Sequence, residues 1–79
     1  MINTKDFKIW LTQNTTYSER VICDIVSRMK RADNILNWYN EEVYLFYLEH
    51  TPNYKELSPS VRSQLKKAVI LYNSFALNL

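Results

Sequence analysis

The stretch that decides the fold is SPSVRSQLKKAVILYNSFAL, residues 58–77, because it contains the clearest helix start in the chain. Ser58 is a good N-cap. Pro59 suits the first helical position, because the backbone N–H that proline lacks would have no hydrogen-bond partner within the helix there. The apolar positions recur at helical spacing: Val61, Leu65, Ala68, Val69, Tyr72, Phe75 and Ala76. The stretch therefore predicts a helix over 58–77 with one face in a core.

The same signals predict three helices upstream, over about 4–13, 18–37 and 39–50. The first has Thr4 as its cap, and the second has Ser18. Their core stripes are Phe7, Trp10 and Leu11, then Ile22, Ile25, Met29, Ala32 and Leu36. In the third helix one face is shared by Tyr39, Val43, Phe46, Tyr47 and His50. Pro52 ends that helix, and we expect a loop over 51–57.

The composition favours an all-α fold. The 79 residues include no glycine and two prolines, whereas the tight turns of a small sheet protein usually need residues that tolerate positive φ. The hydrophobic fraction of 47% is too high for a disordered chain and is enough for a small core. We therefore expect a single helical domain over residues 1–79, a compact four-helix bundle.

The residue types argue against several kinds of chemistry. One histidine and one cysteine provide no zinc-type ligand set and no internal disulfide, and Cys23 is interpreted as a small buried apolar residue. A chain without glycine has no phosphate-binding loop or dinucleotide fingerprint. Glu41 and Glu42 are adjacent, so they diverge on a helix and make a poor acid–base pair. We expect no catalytic residue, metal, cofactor or small-molecule substrate.

The apolar runs are short as well. The longest, 43–48 and 68–72, cannot span a bilayer, and the N-terminus has no apolar signal core. Together with the single cysteine, this predicts a soluble cytoplasmic protein that does not contact a membrane.

Two short basic stretches are the strongest indication of function. They hold six of the ten basic residues, and each adds a serine that suits phosphate oxygens. The candidate contacts are Ser27, Arg28, Lys30, Arg31, Arg62, Ser63, Lys66 and Lys67. Asp24 lies four residues from Arg20 and from Arg28, so helix pairs offset part of the first cluster. A solvated surface that keeps the chain soluble is the alternative interpretation.

The order of these residues resembles a known family. Phe7-x-x-Trp10-Leu11, a turn ending in Tyr17-Ser18, and the run from Ile22 to Arg31 look like the N-terminal core-binding domain of tyrosine recombinases and phage integrases. The run from Val61 to Phe75 is similar to the last helix of that domain. The resemblance implies a SAM-like four-helix bundle that grips double-stranded DNA through the second and fourth helices. The family's catalytic domain has no counterpart here, so recombinase activity is not implied.

A protein-interaction module is the second hypothesis. Four residues lie off the predicted stripes and suit a contact surface: Trp38, Tyr44, Tyr54 and Leu71. Residues 38–57 contain four glutamates, and Lys55 is the one lysine or arginine among them. This acidic segment could meet a basic partner or the basic face of a second copy, with no role for nucleic acid.

Overall fold

Five helices make up the computed structural model, which describes residues 2–77. They are α1 (Thr4–Asn14), α2 (Glu19–Ile35), α3 (Tyr44–Glu49), α4 (Pro52–Lys55) and α5 (Pro59–Leu77). No strand occurs in the described part of the chain. The all-α class is confirmed, and the additional helix arises because the predicted third helix and the loop after it fold as two short helices.

Side-chain caps fix the starts of the long helices. Ser58 Oγ accepts a hydrogen bond from Val61 N at 3.3 Å at the start of α5, and Ser18 Oγ accepts one from Val21 N at 3.3 Å at the start of α2. Both predicted caps are therefore confirmed. The predicted cap Thr4 is wrong by one residue, because Asn3 Oδ1 accepts from Asp6 N at 3.1 Å and leaves Thr4 inside α1.

The core forms where α2 and α5 pack against each other and α1 covers both. Phe7 of α1 meets Tyr72 edge-on, with ring centroids 4.9 Å apart, and lies 5.5 Å from Phe75. The Tyr72 hydroxyl accepts a hydrogen bond from Asn3 N at 2.9 Å, which fastens the start of α1 to α5. The apolar stripes predicted for the first, second and last helices supply this core, as the full burial of Leu11, Met29 and Leu65 shows.

The segment between α2 and α3 differs from its prediction. Helix α2 ends at Ile35 rather than near residue 37, because Asp33 Oδ1 accepts from Trp38 N at 2.8 Å and turns the chain away. Trp38 then donates from its indole Nε1 to Asn73 Oδ1 at 3.0 Å and packs against Tyr72. The predicted free contact residue Trp38 is thus partly buried against α5.

Most of the residues predicted to share one face of the third helix lie on its exposed side. Tyr44 and Leu48 are fully buried, whereas Val43, Phe46 and Tyr47 are 44%, 58% and 53% exposed. The Tyr44 hydroxyl donates to Leu36 O at 2.6 Å, which turns that side of α3 towards the end of α2. Since every residue from 43 to 48 is apolar or aromatic, periodicity alone could not select the buried side.

Three further expectations are corrected. The loop predicted over 51–57 contains α4, capped by Thr51 Oγ1, which accepts from Tyr54 N at 3.3 Å. Tyr54 is buried and Leu71 is partly buried against the core, so neither is a free contact residue. Cys23 is exposed rather than buried, because it lies one position beyond the stripe of α2.

Within residues 2–77 no helix is long and apolar enough to cross a membrane.

Candidate nucleic-acid interface

The first basic stretch is spread around α2 rather than gathered on one face. Successive residues of an α-helix project about 100° apart, so Arg28 and Lys30 diverge to opposite flanks. Arg28 is partly buried, and Ser27, Lys30 and Arg31 are exposed. The predicted pairs around Asp24 do not form, since no cation among residues 2–77 lies within 4.0 Å of its carboxylate.

Lys30 and Ser27 line a groove between α1 and α2, which we name the α1–α2 groove. It encloses about 270 Å³ and is lined by Thr4, Lys5, Lys8, Cys23, Val26, Ser27 and Lys30. The lining therefore contains three ammonium groups, two hydroxyls and no carboxylate. Lys5 and Lys8 were missed in the sequence, although their spacing of three places them on one side of the first helix.

One weak ion pair borders this groove. Lys8 Nζ lies 4.0 Å from Glu19 Oε1, and the two side chains are 46% and 86% exposed. Such an exposed pair contributes about 0–1 kcal/mol, so it leaves Lys8 free to contact another anion. In the described part of the chain no carboxylate is within 4.0 Å of Lys5 or Lys30. The groove is thus a concentrated positive site at the surface.

The second basic stretch lies in a different place. Arg62, Ser63 and Lys66 line a pocket between α3, α4 and α5, together with Glu49, Tyr54 and Pro59. Lys66 Nζ is 3.8 Å from Glu49 Oε1, so a carboxylate already offsets part of this positive charge. We name it the α5 pocket.

Lys67 diverges from its neighbour Lys66. Its Nζ lies over the ring of Tyr17, 5.3 Å from the centroid, in a cation–π contact beside the loop between α1 and α2. Although α2 and α5 pack against each other, neither the α1–α2 groove nor the α5 pocket contains residues of both basic stretches. The two helices therefore present their predicted contact residues at separate sites.

Exposed aromatic side chains form a third surface feature, on α3. The ring centroids of Phe46 and His50 are 4.3 Å apart with the planes tilted by 34°, and Phe46 and Tyr47 meet edge-on at 5.6 Å. His50 Nδ1 lies 2.7 Å from Phe46 O, which holds the imidazole against the helix end. We name Val43, Phe46, Tyr47 and His50 the α3 aromatic patch. The sequence placed these residues on one face but did not show that the face is exposed.

The titratable groups whose pKa is shifted are tyrosines. Among residues 2–77 no group of three or more His, Cys, Asp and Glu side chains is arranged to hold a metal ion. Burial raises the pKa of Tyr44 well above its usual range, and Asp33 and Tyr39 add to the rise. Burial also raises the pKa of Tyr54, with Glu49 acting in the same direction and Arg62 against it.

Searches against family models, curated proteins and solved structures found no match to this chain. The resemblance to recombinase core-binding domains therefore stays a prediction from the sequence.

Proposed function

We propose that the chain is a non-catalytic module that binds the phosphate backbone of double-stranded DNA through the α1–α2 groove. The observation that carries this proposal is the convergence of Lys5, Lys8 and Lys30 on one groove whose lining contains no carboxylate. Lysine ammonium groups and serine hydroxyls are common donors to phosphate oxygens. A DNA-binding role also agrees with the cytoplasmic location expected from the sequence.

A hydroxyl group and one further cation add to the contacts that this surface offers. Ser27 lies in the groove lining, and Arg31 is one helical turn further along α2, where it is exposed. With four cations available, the logarithm of the binding constant should fall against the logarithm of salt concentration with a slope of about −3 to −4. Backbone contacts alone predict a Kd on the order of 10⁻⁴ to 10⁻⁶ M at physiological salt, without sequence preference.

The other contact residues predicted from the sequence are less available to bind DNA. Arg28 is partly buried, Lys66 is paired with Glu49, and Lys67 lies on Tyr17. The resemblance implies that Arg62 and Ser63 also reach DNA, but they share a pocket with Glu49. The charge distribution therefore favours the α1–α2 groove as the principal contact.

Fluorescence anisotropy with a labelled duplex, repeated over a salt series, tests the proposal. Lys30→Glu should weaken binding and reduce the magnitude of the salt slope by about 1. Lys55→Glu is the matched control, because it makes the same charge change at an exposed position on α4 outside the groove. Salt-insensitive binding, or equal losses in the two variants, would contradict the proposal.

The α3 aromatic patch favours a second candidate function, self-association. Phe46 and Tyr47 are more than half exposed, and aromatic side chains are enriched in protein interfaces. Glu41 and Glu42 precede the patch and are exposed, so it combines apolar and acidic character. A second copy offers complementary charge through its basic stretches.

Light scattering over a wide concentration range distinguishes this candidate. If copies associate through the patch, the mass should rise with concentration in the wild type and stay monomeric in Phe46→Ser. Ile9→Ser is the matched control, because Ile9 is an exposed apolar residue of α1, 48% accessible, outside the patch. A constant monomer mass in the wild type would exclude self-association.

A further inference from the structure

The α5 pocket is a separate cavity on residues that the α1–α2 groove does not use. It encloses about 270 Å³ and opens between α3, α4 and α5. This volume is several times that of one water molecule, about 30 Å³ in the liquid. The pocket is therefore large enough for a small ionic group together with part of its hydration shell.

Arg62 lines one wall of the pocket, and part of its guanidinium is buried. Arg62 Nε is buried and has no hydrogen-bond partner, and no other buried side-chain nitrogen or oxygen of residues 2–77 lacks one. A guanidinium stays charged at every relevant pH, and buried N–H groups are nearly always matched by an acceptor. Tyr54 donates its hydroxyl proton to Arg62 O at 2.9 Å, which fixes the arginine backbone at this wall. Arg62 as a whole is only partly buried, so its charged group can still be approached from the pocket.

The remaining lining groups indicate the charge of that acceptor. Arg62 and Lys66 supply two positive charges against the single carboxylate of Glu49, so the lining is positive overall. The Lys66–Glu49 pair is 3.8 Å long with side chains 53% and 36% exposed, and solvent weakens a pair of this kind. An anion can therefore recruit Lys66 at little cost.

We propose that the α5 pocket binds a phosphate group through Arg62, Ser63 and Lys66. These side chains leave the helix at different angles, so their donors suit a tetrahedral group with several acceptor oxygens better than a planar carboxylate. The proposal does not rest on the DNA-binding function, because the pocket shares no residue with the α1–α2 groove. The group belongs either to a phosphorylated small molecule or to a nucleic-acid backbone.

NMR titration of ¹⁵N-labelled protein with inorganic phosphate at constant ionic strength tests this site. The Arg62 Nε–H resonance should shift saturably with phosphate and not with chloride. Lys66→Gln should weaken binding about tenfold, since it removes a charged hydrogen bond. Lys55→Gln, which removes the same charge outside the pocket, should leave it unchanged. Glu49→Gln should tighten binding about two- to fivefold by removing the competing carboxylate.

A second titration, with a short DNA duplex, distinguishes the two sources of the phosphate group. If the duplex shifts the same Arg62 resonance and phosphate competes with it, the group is a backbone phosphate. If phosphate alone produces the shift, the ligand is a phosphorylated small molecule. The proposal is overturned if chloride reproduces the shift, or if Lys66→Gln and Lys55→Gln change the phosphate affinity equally. Lys66 is exposed, so its substitution leaves the core intact.

Discussion

Tyr44 shows how one side chain fixes the path of the chain between α2 and α3. Its ring is fully buried, and its hydroxyl lies 2.6 Å from Leu36 O and 3.3 Å from Ala32 O at the end of α2. The last carbonyls of a helix have no partner within the helix. The tyrosine therefore supplies a donor that α2 lacks and ties α3 to the core.

Tyr44→Phe should lower the free energy of unfolding by about 1–2 kcal/mol, because the substitution leaves the partly buried Leu36 carbonyl without its donor. Tyr47→Phe is the matched control: Tyr47 is 53% exposed, and an exposed change of this kind costs less than about 0.5 kcal/mol. Urea denaturation followed by circular dichroism measures both. Equal effects in the two variants would contradict the role assigned to the Tyr44 hydroxyl.

The burial of Tyr44 also predicts a loss of stability in alkali. Its pKa is raised in the folded state, whereas an unfolded tyrosine releases its proton near pH 10. Above about pH 10 the unfolded state therefore binds fewer protons, and the free energy of unfolding falls as the pH rises. Tyr44→Phe should show a shallower decline than the wild type in urea denaturation between neutral and alkaline pH. An unchanged slope would show that this phenol does not cause the decline.

At the scale of the element, the cap at Ser58 is responsible for the start of α5. Its Oγ accepts from Val61 N, and its carbonyl accepts from Arg62 N at 2.9 Å. Ser58→Ala should destabilise the protein by about 1 kcal/mol, because the amide of Val61 loses its acceptor. Thermal unfolding followed by circular dichroism measures the change.

Ser60→Ala is the matched control for this prediction. Ser60 is exposed in the first turn of the same helix and does not cap it, and alanine is the better helix former. Its stability should match or slightly exceed that of the wild type. If the two substitutions cost the same, the Ser58 side chain is not the cap that stabilises α5.

The elements that could be predicted from the sequence are those with local signals. Ser18, Ser58 and Pro59 mark helix starts, and the spacing of Ile22, Ile25 and Met29 marks a buried face. Helix α3 lacks such signals, and α4 starts on Thr51-Pro52, a cap and proline pair that the prediction assigned to the end of the preceding helix. Their boundaries and faces depend on Tyr44 reaching Leu36 and on Tyr54 reaching Arg62, and these contacts form only when the chain has folded.

At the scale of the whole molecule, helix geometry and the packing of the helices determine which basic side chains lie close together. Adjacent cations in the sequence, such as Lys66 and Lys67, diverge because helical neighbours project about 100° apart. Cations far apart in the sequence, such as Lys5 and Lys30, meet in the α1–α2 groove because α1 packs against α2. The sequence therefore indicated Ser27 and Lys30 as candidates, whereas the residues that α1 adds to the groove depend on the packing of the two helices.

The most direct test of the principal claim compares two double charge reversals in duplex binding at one low salt concentration. Lys5→Glu/Lys30→Glu changes the α1–α2 groove, and Arg20→Glu/Lys55→Glu makes the same net charge change outside both the groove and the α5 pocket. All four side chains are exposed, so both variants should fold. We expect an affinity loss at least about tenfold greater for the groove variant. Equal losses, or a greater loss for the Arg20/Lys55 variant, would contradict the claim that the groove is the principal contact.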